Sequence, residues 1–424
     1  MKGIKMRKNM NKTITPTVVM LMLLSFSMAV SAQNTTRSLQ QCIDSAMVNN
    51  LTMKSGRISI QKAKDLQGTA FNIDRTTFSL SQDPTSGGSP DNSLSLSQSF
   101  DFPTLYGSRR GLLKAETNLE KSHLEVTRNE LVKEVTSLYY QLLYARENIK
   151  ILQEQDSIYG KFLFLANAKL KSGDTGRLEQ MNAERLYNEN KIDLQKAGKT
   201  YENIQLRLQQ WVNTSEFIEP AEDTLPVLES PLMADGFNPG QTPLGEMYSN
   251  KQIVSEKNLS VVKQGYLPSF NIALRNQFLI KGFNPYDVDR ARFDKGNFMG
   301  FEVGVSVPLF FGEQRAKTKA AKREVELMRT QQEEAMLGIR KEYQTGLNEF
   351  AKAQKSLDYY SGKGIRQADE ISRISQLSYE KGEINYVEYI QNLKSAMDIH
   401  LQYATVINEY NQSIIMLNYL QGNK

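Results

Sequence analysis

Two stretches of this chain alternate apolar and polar residues at every second position. Between Ser93 and Phe102, Leu94, Leu96, Gln98, Phe100 and Phe102 take one parity, while Ser93, Ser95, Ser97, Ser99 and Asp101 take the other. Between Phe298 and Leu309 the pattern is sharper. Met299, Phe301, Val303, Val305, Val307 and Leu309 alternate with Phe298, Gly300, Glu302, Gly304 and Ser306. A period of two predicts strands with one apolar and one polar face. Each has an upstream partner, which gives expected strand pairs over 73–102 and 269–309. The turn-forming run from Asp83 to Asn92 separates the first pair, and the loop from Gly282 to Lys295 separates the second.

Each pair runs into a glycine, through Phe102-Pro103-Thr104-Leu105-Tyr106-Gly107 and Val307-Pro308-Leu309-Phe310-Phe311-Gly312, and there the period changes. Leu131, Val135, Leu138, Leu142, Ala145, Ile149 and Leu152 alternate spacings of four and three; Met336, Tyr343, Phe350 and Leu357 fall at sevens, with Ile339 and Leu347 between. This is coiled-coil spacing. It predicts long helices over 108–171 and 313–380, each on the order of 100 Å at about 1.5 Å per residue. Shorter helices are expected over 176–212 and 385–420, before each strand pair, and from Ser38 to Leu66 with Ser38 as N-cap. Two short helices placed end to end would match one long helix. The chain thus reads as two repeats, 33–212 and 243–424. They are joined by a connector over 213–242, whose prolines and acids suggest that it packs outside the helical layer.

Composition alters the picture in one respect. Residues 1–32 read as a secretory signal peptide, with a basic start, an apolar stretch from Val18 to Val30 and cleavage after Ala32. They carry Lys2, Lys5, Arg7, Lys8 and Lys12 and no acid, so the remaining chain is formally neutral and no nucleic-acid partner is implied. The single Cys42 cannot form an internal disulfide and reads as a small apolar contact on the first helix. With only His123 and His400, both expected to face solvent, no Cys/His zinc cluster is available, and no metal or other cofactor is expected. No arrangement of nucleophile, base and orienter is visible, so an enzyme is not expected. After the signal no run of about 20 apolar residues remains, so entry into a membrane would be by strands. Four strands are too few to close a barrel, and open edges in lipid leave backbone groups unsatisfied; a trimer would supply twelve.

Both helix-to-helix turns carry a glycine followed six positions later by an acid: Gly173-Asp174-Thr175-Gly176-Arg177-Leu178-Glu179 and Gly382-Glu383-Ile384-Asn385-Tyr386-Val387-Glu388. With the duplication and helix lengths, these motifs resemble the TolC-like outer membrane efflux channels. The resemblance covers essentially all of residues 33–424. It implies a mixed α and β chain forming a trimeric 12-stranded outer-membrane β-barrel, continued by a long periplasmic α-helical barrel. It also implies passive conduction in a Gram-negative cell, with a periplasmic adaptor and an inner-membrane pump as partners. Gly173, Thr175, Gly176, Leu178, Gly382 and Ile384 match the adaptor-contacting tips, and Glu179, Tyr379, Glu388 and Gln391 the aperture. Where the family has Asp, this chain has Glu179 and Glu388, and Ile384 stands nearest the family's tip arginine. The runs Gln98 to Gly107 and Tyr379 to Tyr386 resemble channels that accompany metal-cation pumps of the RND class. Multidrug or type I protein export fits the same tube, and a secreted periplasmic coiled-coil protein fits the heptads alone. Glu179 and Glu388 also fit a plain role as helix N-terminal acids.

Overall fold

The computed structural model describes residues 34–84, 90–173, 176–230, 236–278 and 298–422. The proposed signal peptide, Asp174, Thr175 and the whole of the expected loop from Gly282 to Lys295 lie outside them. The first elements are strand β1 (Asn34–Arg37), α1 (Leu39–Asn49), α2 (Leu51–Leu66), β2 (Thr77–Pro84), β3 (Pro90–Phe100), α3 (Pro103–Ser172) and α4 (Arg177–Val212). Strand β4 (Phe217–Pro220), α5 (Pro243–Lys263), β5 (Ser269–Phe278), β6 (Phe298–Ser306), α6 (Gly312–Tyr359), α7 (Ile365–Glu380) and α8 (Tyr386–Gln421) follow. At 70 residues, α3 is about 105 Å long. No helix among the described residues is long and apolar enough to cross a membrane.

The two strand pairs merge into one antiparallel sheet, ordered β2-β3-β5-β6. Its register aligns the two alternating patterns, with Leu96 opposite Phe78 on one side and Leu274 on the other, and Leu274 opposite Phe301. Phe78, Leu80, Leu96, Ile272, Leu274, Met299, Phe301, Val303 and Val305 are all exposed, Phe301 by 80%. The opposite face is polar. Ser79 bonds Ser95 at 2.6 Å, Ser81 bonds Ser93 at 2.7 Å, and Arg275 meets Glu302 at 3.6 Å. The strand ends differ from those the period suggests: β2 and β3 pair on into the expected turn, as far as Pro84 and Pro90, while β2 begins late and β3 and β6 end early. Residues 73–76 are held by the Gln98 side chain, which accepts from Thr76 Oγ1 at 2.6 Å and donates to the Asp74 carbonyl at 2.6 Å, instead of by the ladder. β6 stops at Ser306, since Pro308 has no N–H to give.

The helix expected over 38–66 is two helices. Ser38 caps α1 through a capping box with Gln41, and Asn50 breaks the run by leaving the helical region and accepting from the Thr52 N–H at 2.9 Å. That break is where α4 arrives. Asn50 Nδ2 donates to the Trp211 carbonyl and Asn213 Nδ2 to the Asn49 carbonyl, both at 3.0 Å, so α2 and α4 abut along α3. At the corresponding place in the second half, Gly422 at the end of α8 lies against Pro243 at the start of α5.

The helix expected over 313–380 is interrupted by a π-helical turn at Tyr360–Gly364. Buried positions run Tyr343, Phe350, Leu357, Gly364, then Ala368 and Ser375, so the seven-residue spacing slips by four once. The wide turn absorbs that slip and keeps one face on α8. Cys42, Ala46, Leu131, Val135, Leu138 and Leu142 are fully buried in one core, where burying each leucine or valine side chain contributes about 1.5–3 kcal/mol. Burial raises the Cys42 thiol to about 11, so it stays protonated and inert.

The connector contributes a strand that periodicity could not announce. β4 pairs in parallel with β1, too short a pairing for any sequence period. The segment after it is fixed to the helices: Ala221 N–H donates to Tyr139 Oη at 3.1 Å, and Asn411 on α8 donates to the Pro226 carbonyl at 2.8 Å. The Tyr139 hydroxyl also donates to the Glu222 carboxylate. Trp211 packs on the first core, as a structural residue should. His123 and His400 are half-buried rather than solvent-facing, and His400 Nε2 lies 3.4 Å from Asp369.

Candidate functional site

The site residues lie at the turns that end the long helices. At the first, Gly173 caps α3 with φ of +81° and accepts the left-handed backbone that other residues resist. At the second, Gly382 has φ of +73°; its N–H donates to the Tyr379 carbonyl at 3.0 Å, and the next N–H, of Glu383, to the Ser378 carbonyl at 2.8 Å. Ile384 closes the same turn by donating to Ser378 at 3.4 Å. A Cβ at either glycine would meet nothing within 4 Å, so only backbone strain opposes a side chain there. Gly176, which starts α4, differs. Its φ of −83° suits any residue. We therefore expect Gly382→Val to destabilise its tip by about 1–2 kcal/mol and Gly176→Val to change little. Hydrogen exchange over residues 376–388 checks the first, and equal exchange in both variants would remove the backbone argument.

Glu388 makes a capping box with Asn385. Its own N–H donates to Asn385 Oδ1 at 2.9 Å, and its carboxylate accepts from the Asn385 N–H at 3.2 Å. The helix N-terminal role is thus built, and the side chain stays exposed with Gln391 one turn further on. Glu179 stands in the first turn of α4, half-buried, and Leu178 beside it is 75% exposed.

The two tips meet through aromatic rings. Tyr386, buried at the start of α8, lies 4.5 Å from Phe162 of α3 and 5.2 Å from Tyr379 of α7; Tyr379 in turn stacks on Tyr389 at 4.9 Å with planes 10° apart. Lys169 of α3 places its ammonium 5.6 Å from the Tyr386 ring. Burial raises the Tyr386 hydroxyl above the ordinary tyrosine range, and Tyr379, Tyr389 and Glu179 add to it. This ties Glu179 of the first tip electrostatically to Tyr386 of the second. Tyr379 packs on Tyr386, whose hydroxyl also feels the Glu179 charge, while Glu388 and Gln391 are exposed on α8. Phe162, Lys169, Tyr386 and Tyr389 were not singled out in the sequence. The available signal was three tyrosines, 379, 386 and 389, flanking one turn glycine.

Comparison with known proteins agrees with this architecture. No curated protein matches the chain. Among solved structures, CusC, described for its folding and transmembrane channel formation, is 16% identical with a TM-score of 0.74, over 94% of this chain and 96% of that one. The Campylobacter jejuni outer membrane channel CmeC is 17% identical with a TM-score of 0.70, over 91% of this chain and 85% of its own. The open state of the Neisseria gonorrhoeae channel MtrE is 18% identical with a TM-score of 0.72, over 91% and 88%. At these identities the likeness is one of fold. The profile of the outer membrane efflux proteins matches residues 44–214 and 259–423, and the chain belongs to that family.

Proposed function

We propose that this chain is the outer-membrane exit channel of a tripartite efflux system. Three copies close their sheets into a twelve-stranded barrel, with the apolar face to lipid and the serine-rich face to water. The long helices continue below it as a periplasmic tube. The tips at Gly173, Thr175, Gly176, Leu178, Gly382 and Ile384 meet a periplasmic adaptor, and an inner-membrane pump of the RND class supplies the energy. The observation that carries this reading is the sheet itself: an exposed apolar face with two open edges, β2 and β6. In lipid each unsatisfied edge group costs several kcal/mol, and joining β6 of one copy to β2 of the next removes that cost. Glu388 and Gln391, exposed and one turn apart, form a threefold ring at the aperture, where carboxylates favour cations.

The proposed cargo is metal cations or small toxic compounds. Membrane fractionation tests the channel: retention in carbonate-washed outer membranes is expected, and release into the soluble periplasm would overturn it in favour of a secreted coiled-coil protein. Deletion of the gene separates the cargoes. Hypersensitivity to copper, silver, zinc, cobalt or nickel alone assigns cations; hypersensitivity to dyes, detergents or bile salts alone assigns organic export.

A further inference from the structure

At the junction of sheet and helices, three helix ends meet at one level. Thr104 at the start of α3 donates to Gln264 Oε1 at 2.6 Å, just past the end of α5, and Gln314 in the first turn of α6 donates to the Val262 carbonyl. Aromatic rings gather there. Phe102 stacks on Phe270 at 6.1 Å, Phe71 on Tyr106 at 5.6 Å, and Tyr266 leans on Phe311 at 5.9 Å; Phe310 is 92% exposed. Such a girdle marks the edge of an apolar band.

Immediately beyond the girdle the charge changes. Residues 101–114, 257–267 and 309–323 together hold ten Lys and Arg against the two acids Asp101 and Glu313. Both acids are already engaged, by Arg109 at 2.9 Å and Lys317 at 2.6 Å. Yet residues 33–424 are neutral as a whole, so the excess is local. Arg315, Lys319 and Lys322 fall on one face of α6 by their spacing of four and three, and Arg110 and Lys114 on one face of α3. With Lys263 at the end of α5 these six side chains are exposed and make no ion pair among the described residues. The N-termini of α3 and α6 add their positive ends at the same level.

We propose that this collar binds the anionic head groups of phospholipid in the leaflet that meets the helices. The proposal rests on reading the sheet as lipid-facing, which sets the apolar band and the collar at hydrocarbon and head-group depth respectively. Each Lys or Arg near such a surface adds attraction, and together they select anionic over zwitterionic lipid.

The test uses the full chain, delipidated in detergent and titrated with phosphatidylglycerol or phosphatidylcholine, with bound lipid read by native mass spectrometry. A preference for phosphatidylglycerol is expected, falling at least about tenfold in the combined variant Arg315→Gln, Lys319→Gln, Lys322→Gln. The combined variant Lys352→Gln, Lys355→Gln, Lys394→Gln, away from the collar, should keep it. Equal retention of both lipids, an unchanged preference in the collar variant, or full displacement by inorganic phosphate would overturn the proposal. If the wild-type chain stays in carbonate-washed membranes while the preference is absent, only the collar fails. If it is released from them, the lipid-facing reading fails and the collar with it.

Discussion

Replacing Tyr386 with alanine is expected to loosen both helix tips at once. The ring is buried between Phe162 of the first hairpin and Tyr379 and Tyr389 of the second. Truncating a large buried aromatic costs about 3–5 kcal/mol through lost transfer energy and the cavity left behind. Here the loss falls on a contact that spans the hairpins, since α3 and α8 meet at this level through Phe162, Lys169 and Tyr386. Residues 376–393 should then exchange backbone hydrogens about a hundredfold faster or more, because each 1.4 kcal/mol is about tenfold. Its hydroxyl makes no hydrogen bond among the described residues, so Tyr386→Phe should keep the packing and most of the protection. On the proposed reading, in which the tips form the aperture, the alanine variant should also conduct more than wild type in planar bilayers, because these rings join the two tips. Equal exchange in the alanine and phenylalanine variants would show that the tips are held by something other than this cluster.

The reason this contact escaped the sequence is physical. Periodicity reports which face of an element is apolar, and that sufficed for β3 and β6, whose alternation the sheet reproduces as far as Phe100 and Ser306. It sufficed for the buried seams of α3 and α6 as well. It does not report where two distant elements touch. Phe162 and Tyr386 are far apart in sequence, and nothing near either one encodes the other. The same holds for β1 and β4, whose pairing depends on where α3 and α4 place their ends. Boundaries moved for local reasons that a period cannot see: the Gln98 side chain takes over backbone partners before β2, Pro308 ends β6, and the glycines at 362 and 364 let α6 pass into a π turn. The tip glycines were legible because a left-handed cap leaves a glycine in the sequence; Gly176 shows the limit, being a glycine that its backbone does not require.

Replacing Phe301 with arginine separates a membrane protein from a soluble one more sharply than any contact argument. Phe301 sits near the middle of β6, 80% exposed, between Met299 and Val303 on the apolar face. Were that face in water, the change would be nearly neutral, within about 0.5 kcal/mol, as for most exposed substitutions. In lipid, an arginine near the bilayer midplane on an outward strand face costs about 2–4 kcal/mol, and a trimer carries that cost three times over. The expected result is a marked fall in protein recovered folded in the outer membrane, and a lower urea midpoint after refolding into vesicles. Ser97→Arg, on the polar face opposite Ala273, places the same charge on the same sheet and should be tolerated, because that face meets water in a barrel. The contrast isolates the side of the sheet from the chemistry of the residue. If Phe301→Arg folds and inserts as well as Ser97→Arg, the apolar face does not meet lipid, and the exit channel and the collar beneath it both fall.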